Sequence, residues 1–121
     1  MRYMLLIYGD EKQAQKMSDT DRGKMFSEYR DFTNGIQASG AYQAGDPLQP
    51  VSTATTVRMK NGKTVTTDGP FAETKEQLGG YYIVDAKNLD EAVAIAARIP
   101  SVRLGGSIEV RPIMEIGQPR R

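Results

Sequence analysis

Two short stretches of this chain, Tyr3–Tyr8 and Gly80–Ala86, carry apolar residues at consecutive positions rather than at alternate ones. A strand with one wet face alternates apolar and polar residues. Here Tyr3, Leu5 and Ile7 oppose Met4, Leu6 and Tyr8, and Tyr81 and Ile83 oppose Tyr82 and Val84. Both stretches therefore read as strands buried from two sides.

The period changes to helical between about Asp19 and Ser39, where Met25, Tyr29, Phe32 and Ile36 fall on one stripe with Phe26 flanking it. Ser18, with Asp21 three residues on, supplies an N-cap, and Gly40 a C-terminal stop. A second helix is predicted after Asn88, its cap, with Glu91 three residues on. Leu89, Ala92, Val93, Ala96 and Ile99 form its apolar stripe before Pro100 ends it. Residues 41–52 hold Gly45-Asp46-Pro47 and Pro50 and read as a short extended segment and loop. Thr53–Lys60 and Lys63–Thr67 flank Asn61-Gly62, a pair suited to positive φ at both central positions of a type I′ hairpin turn. The last strand spans about Ser107–Ile116, with Ile108, Val110 and Met114 facing away from Glu109, Arg111 and Glu115.

The predicted order is strand, helix, hairpin, strand, helix, strand: an α+β chain of the ferredoxin-like split β-α-β kind with an inserted hairpin. Two helices cover only one face of such a sheet. At ~25 cal/mol per Å², bulky apolar groups on the other face are costly to leave wet. A second subunit is the simplest cover, and two sheets packed face to face make a dimeric α+β barrel.

Composition narrows the chemistry. At 121 residues the chain fits a single domain, 1–121, and sixteen basic against fifteen acidic residues create no cationic field for nucleic acid. The apolar run at 3–8 is too short for a membrane span and lacks a secretory cleavage site, so a cytoplasmic protein without membrane contact is expected. With neither Cys nor His, the chain builds no disulfide, no Cys/His zinc site and no Cys-His or Ser-His-Asp nucleophile, and no cofactor or metal is expected. Proton transfer would rest on Asp, Glu, Lys or Tyr.

The densest run of turn-forming and charged residues is DGPFAETKEQLGG, residues 68–80, between the hairpin and the second two-sided strand. Asp68 can accept backbone N–H bonds, Gly69 permits unusual dihedrals, and Pro70 fixes the next φ, so the chain turns sharply. Phe71 then reads as an apolar anchor, with Glu73, Lys75 and Glu76 beside it. These thirteen positions, with Tyr3-Met4-Leu5-Leu6-Ile7-Tyr8-Gly9, Ala54-Thr55-Thr56-Val57-Arg58 and Ile108-Glu109-Val110-Arg111-Pro112-Ile113-Met114-Glu115, resemble the DGPF-type YCII-related family over almost the whole chain.

That resemblance implies a dimeric α+β barrel in a bacterial protein. Because some relatives are fused to, or encoded beside, extracytoplasmic-function sigma factors, it also implies a sigma-factor-linked partner. In the wider YCII-like group a His-Asp pair serves catalysis, including dehalogenation. Here Asp68 stands at the acidic position and no histidine accompanies it.

Asp68, Gly69 and Pro70 are therefore expected as a structural turn first and a cavity-mouth carboxylate second. Glu73, Lys75 and Glu76 are expected as solvated charges or intersubunit pairs, with Lys75 or Arg111 the counter-ion of any buried carboxylate. Tyr8, Tyr81 and Tyr82 are expected as core or interface aromatics, and Arg58, Lys60 and Lys63 as charges guarding a hairpin edge. The candidate ligand or interface set is Asp68, Gly69, Pro70, Phe71, Glu73, Lys75, Glu76, Tyr8, Tyr82 and Arg111. Two functions remain open: a non-catalytic homodimer, or higher oligomer, that senses an unidentified small molecule or contacts a regulatory partner, and an enzyme using carboxylate, lysine or tyrosine groups in the barrel cavity.

Overall fold

The computed structural model describes residues 1–117. The two-sided stretches form the central strands, β1 (Arg2–Gly9) and β5 (Gln77–Asp85), which pair antiparallel with Leu5 opposite Tyr82 and Tyr3 opposite Val84. Outside them lie two edge strands, β2 (Tyr42–Pro47) on β5 and β6 (Ser107–Pro112) on β1, giving a four-stranded antiparallel sheet of order β2-β5-β1-β6. This order is compatible with a ferredoxin-like α+β fold. The hairpin β3 (Thr55–Lys60) and β4 (Lys63–Asp68) is a separate two-stranded sheet inserted between β2 and β5. Asn61 at φ 52° and Gly62 at φ 78° turn it, as a type I′ corner requires.

Helices α2 (Asp19–Ala38) and α3 (Leu89–Ala96) cover one face of the large sheet. Ser18 Oγ accepts from the Asp21 N–H at 3.1 Å and Asn88 Oδ1 from the Glu91 N–H at 3.0 Å, so both predicted caps form. Glu91 also reaches back to the Lys87 N–H at 2.9 Å. Gly40, at φ 82°, ends α2 in the left-handed region. Between sheet and helices Tyr3, Leu5, Tyr82, Val84, Phe32, Ile36, Ala92, Ile95, Ala96 and Ile99 form one core cluster. The Phe32 and Tyr82 rings meet edge to face at 5.2 Å.

The extended segment read within 41–52 is edge strand β2 at 42–47, where Gly and Pro are tolerated and the register is irregular between Tyr42 and Ala44. The structure departs from the sequence reading in four places. A five-residue helix, α1 (Glu11–Gln15), follows β1, capped by Asp10, whose Oδ1 accepts the Lys12 N–H at 2.9 Å. On α3 the buried stripe is Ala92, Ile95, Ala96 and Ile99, while Leu89 and Val93 lie exposed on its flank. The β6 strand stops at Pro112 because its partner β1 begins at Arg2, leaving Met114 exposed. Finally, β5 starts at Gln77, so the last four residues of the 68–80 segment are strand.

On the sheet face away from the helices stand Met4 and Leu6 of β1 and Ile83 of β5, each half-buried, and among the described residues no helix covers them. Charged groups frame them: Arg111 donates to Glu109 at 2.9 Å and Arg2 to Glu115 at 3.1 Å. The Tyr81 hydroxyl donates to Asp46 at 2.8 Å.

Candidate functional site

The 68–76 segment is the corner by which the hairpin returns to the body. Asp68 ends β4 opposite Thr55. Gly69 takes φ 98°, which explains a glycine here, and the corner is held by Gly69 N–H donating to the Ala54 carbonyl at 2.7 Å and Thr56 Oγ1 donating to the Gly69 carbonyl at 2.8 Å. Asp68, Glu73 and Lys75 are exposed and enter no ion pair among the described residues. Phe71, expected to anchor the segment, is 79% exposed within the protomer. Glu76 is half-buried, and its Oε1 is buried without a hydrogen-bond partner among the described residues.

A cavity of about 720 Å³ lies elsewhere, between α2 and the β2-β5 side of the sheet, closed at one end by α1. Of the candidate set only Tyr8 and Tyr82 line it. Asp68, Gly69, Pro70, Phe71, Glu73, Lys75 and Glu76 stay outside it, and Arg111, paired with Glu109 on the open sheet face, does too. The candidate residues thus divide among a corner, a cavity and a sheet face instead of converging on one site. The Glu109 carboxylate raises the Arg111 pKa through its hydrogen bond and its charge, so Arg111 stays a cation.

Two hydroxyl pairs cross the cavity seam. Tyr29 of α2 hydrogen-bonds Ser101, in the 3₁₀ turn Pro100–Leu104, and Thr33 of α2 hydrogen-bonds Tyr82 of β5 at 2.7 Å. Burial raises the Tyr29 and Tyr82 pKa values above 10.0, more than their hydrogen bonds lower them, so both phenols are neutral at physiological pH. Tyr81 is raised chiefly by its hydrogen bond to Asp46. Gly45 lets β2 pack closely on Tyr82: a Cβ there would lie 2.5 Å from the Tyr82 ring. At the α1 end Gln77 Oε1 accepts the Glu11 N–H at 2.9 Å, Gln77 Nε2 donates to the Thr74 carbonyl at 2.6 Å, and Glu11 Oε2 accepts the Val51 N–H at 3.1 Å. Gln77 therefore links the outer segment to the cavity rim, although that segment contributes nothing to the lining.

Similarity to known proteins follows the whole fold. The YCII-related domain model matches residues 1–117. An uncharacterised protein of Rhizobium meliloti (strain 1021) is 35% identical over 114 residues, 93% of this chain and 92% of that protein. The chain belongs to the YCII-related family. Within this YCII-related chain, sequence reasoning missed Tyr29, Thr33 and Ser101 as a set, together with α1. Tyr29 read as core because it sits on the buried stripe, and no local pattern links Ser101 to a residue seventy-two positions earlier. Phe26 carried a legible signal, being the aromatic on α2 that falls off that stripe, and it lines the cavity.

Proposed function

We propose that this protein is a homodimeric small-molecule-binding module that holds its ligand in the cavity between α2 and the sheet and does not transform it. The carrying observation is the chemistry of the lining. Its carboxylates are engaged in structure, Asp10 as the cap of α1, Glu11 on the Val51 N–H and Asp46 on Tyr81. Burial raises the pKa of its Tyr29 and Tyr82 phenols and keeps them protonated, which suits donors and disfavours a general base.

The homodimer reading, two open sheet faces paired into an α+β barrel, is supported by the uncovered apolar set Met4, Leu6 and Ile83. It is further supported by Phe71 and by hairpin residues Val57 and Met59, 63% and 69% exposed. The regulatory part of the reading, a sigma-factor-linked partner that receives the ligand signal, rests on the DGPF-type resemblance.

A thermal-shift screen of small molecules tests the module. A ligand at a hundred times its Kd raises stability by about 2.7 kcal/mol, and mass spectrometry should recover it unchanged. Turnover of such a hit sinks the non-catalytic assignment. Sedimentation should give a dimer at micromolar concentration that Phe71→Ala weakens. A well-folded monomer would refute the barrel.

A further inference from the structure

The walls of the cavity constrain the identity of its occupant, an identity that rests on the cavity being a ligand site. Hydroxyls come first. Two hydroxyls that share one hydrogen bond use one proton of two, so the Tyr29–Ser101 and Thr33–Tyr82 pairs each retain one O–H seeking an acceptor. Burial keeps both phenols protonated, which keeps these donors available. The lining carboxylates, by contrast, already accept from Lys12 N–H, Val51 N–H and the Tyr81 hydroxyl. The cavity therefore has donors to offer.

Cations point the same way. Arg22, Phe26 and Arg30 recur every fourth residue along α2 and all line the cavity. Arg22 donates to the Ala14 and Met17 carbonyls at 3.2 and 3.3 Å and pairs with Asp19 at 4.0 Å, whereas Arg30 enters no ion pair among the described residues.

Shape is the third constraint. On the sheet side Tyr8, Tyr42, Tyr81 and Tyr82 line the space together with Gly45, Pro47, Gly79 and Gly80, so flat rings and bare backbone share that wall. A Cβ at Gly79 would find only the Ile7 carbonyl, at 3.9 Å. On the helix side stand the rings of Phe26 and Tyr29. Flat backbone facing aromatic rings matches a flat molecule better than a coiled chain.

We propose that the cavity binds a planar, largely apolar ring compound whose polar substituents are hydrogen-bond acceptors, an aromatic carboxylate or ketone, with its oxygens toward the two hydroxyl pairs.

Calorimetric titration of the full chain with four probes tests this: 2-naphthoate, 2-acetylnaphthalene, decanoate and 2-naphthylmethylammonium. At least one of the two acceptor-bearing naphthalenes should bind tenfold or more tighter than both other probes, and the tighter one identifies the acceptor. The double variant Thr33→Val/Tyr82→Phe removes one hydroxyl pair and should weaken that probe about fivefold to tenfold. The probe comparison on the unaltered protein keeps the test decisive if the variant fails to fold.

Decanoate binding as tightly as the naphthalenes would overturn the planar-ring assignment and leave a ligand cavity standing. Tighter binding of the ammonium would overturn the acceptor assignment in favour of Asp10, Glu11 and Asp46. Equal affinity in the folded double variant would overturn the role of the hydroxyls. No binding of any probe would refute the ligand site together with this inference.

Discussion

The four-stranded sheet and the β3-β4 hairpin are both antiparallel, but different information holds each. Each central strand of the large sheet is fixed by residues distant in sequence: Leu5 lies opposite Tyr82, and Tyr3 opposite Val84, beneath Phe32 and Ile36. The hairpin is fixed by its own corner, Asn61-Gly62, and by two bonds at its base, from Gly69 N–H and Thr56 Oγ1. All but one of its strand residues are exposed. A two-stranded ribbon of this kind is marginal alone in water. The difference teaches that local turn chemistry can specify a shape without supplying the burial that holds it, whereas the sheet has both.

Core truncation is the strongest way to break this comparison. Leu5→Ala should lower unfolding free energy by about 2–5 kcal/mol, because it empties a fully buried site. In a monomeric variant, Val57→Ala should stay within about 0.5 kcal/mol. Urea denaturation of both decides the matter. A hairpin penalty approaching that of the core at protein concentrations supporting association would show that a second copy covers the ribbon.

A smaller effect separates two glycines of the large sheet. Gly45→Ala drives a Cβ to within 2.5 Å of the Tyr82 ring and should cost about 1–3 kcal/mol, with weaker binding of any cavity ligand. Gly79→Ala, whose new methyl meets only the Ile7 carbonyl at 3.9 Å, should fall well below that. Equal losses at the two positions would contradict the close packing of β2 on Tyr82.

The smallest expected effect depends on pH. The folded chain holds Tyr29 and Tyr82 protonated beyond the value near 10.0 at which the unfolded chain releases its protons. Their contribution to stability is therefore complete below pH 10 and declines as the pH rises through the folded-state values. The hairpin has no tyrosine and should add nothing to this slope. Denaturation midpoints measured from pH 9 to 11 should fall less steeply in Tyr29→Phe and Tyr82→Phe than in the unaltered protein; parallel slopes would count against buried phenols.

Much of the fold was legible because its signals are local or periodic. Ser18, Asn88, Asn61-Gly62 and the doubled apolar pattern at 3–8 each act within a few residues of themselves. Edge strand β2 was legible only as an extended segment because its pairing depends on a free edge of β5, and α1 was illegible because five residues carry no full stripe. The face of α3 was misjudged by about one position: Ile95, not Val93, points inward, a choice made by the sheet packed against it. The site was legible in single residues, Tyr8 and Tyr82, and illegible as a group, since the hydroxyl pairs join positions 29 to 101 and 33 to 82. At residues 68–76 Gly69 and Pro70 make an unusual corner, and its pattern is local, so the turn was legible.

The Asn61-Gly62 corner is the far tip of a ribbon whose base is tied at Ala54, Thr56 and Gly69. Foreign peptide spliced at that tip would sit away from the core and the cavity alike, which makes the corner a natural port for an affinity tag or a fluorescent reporter.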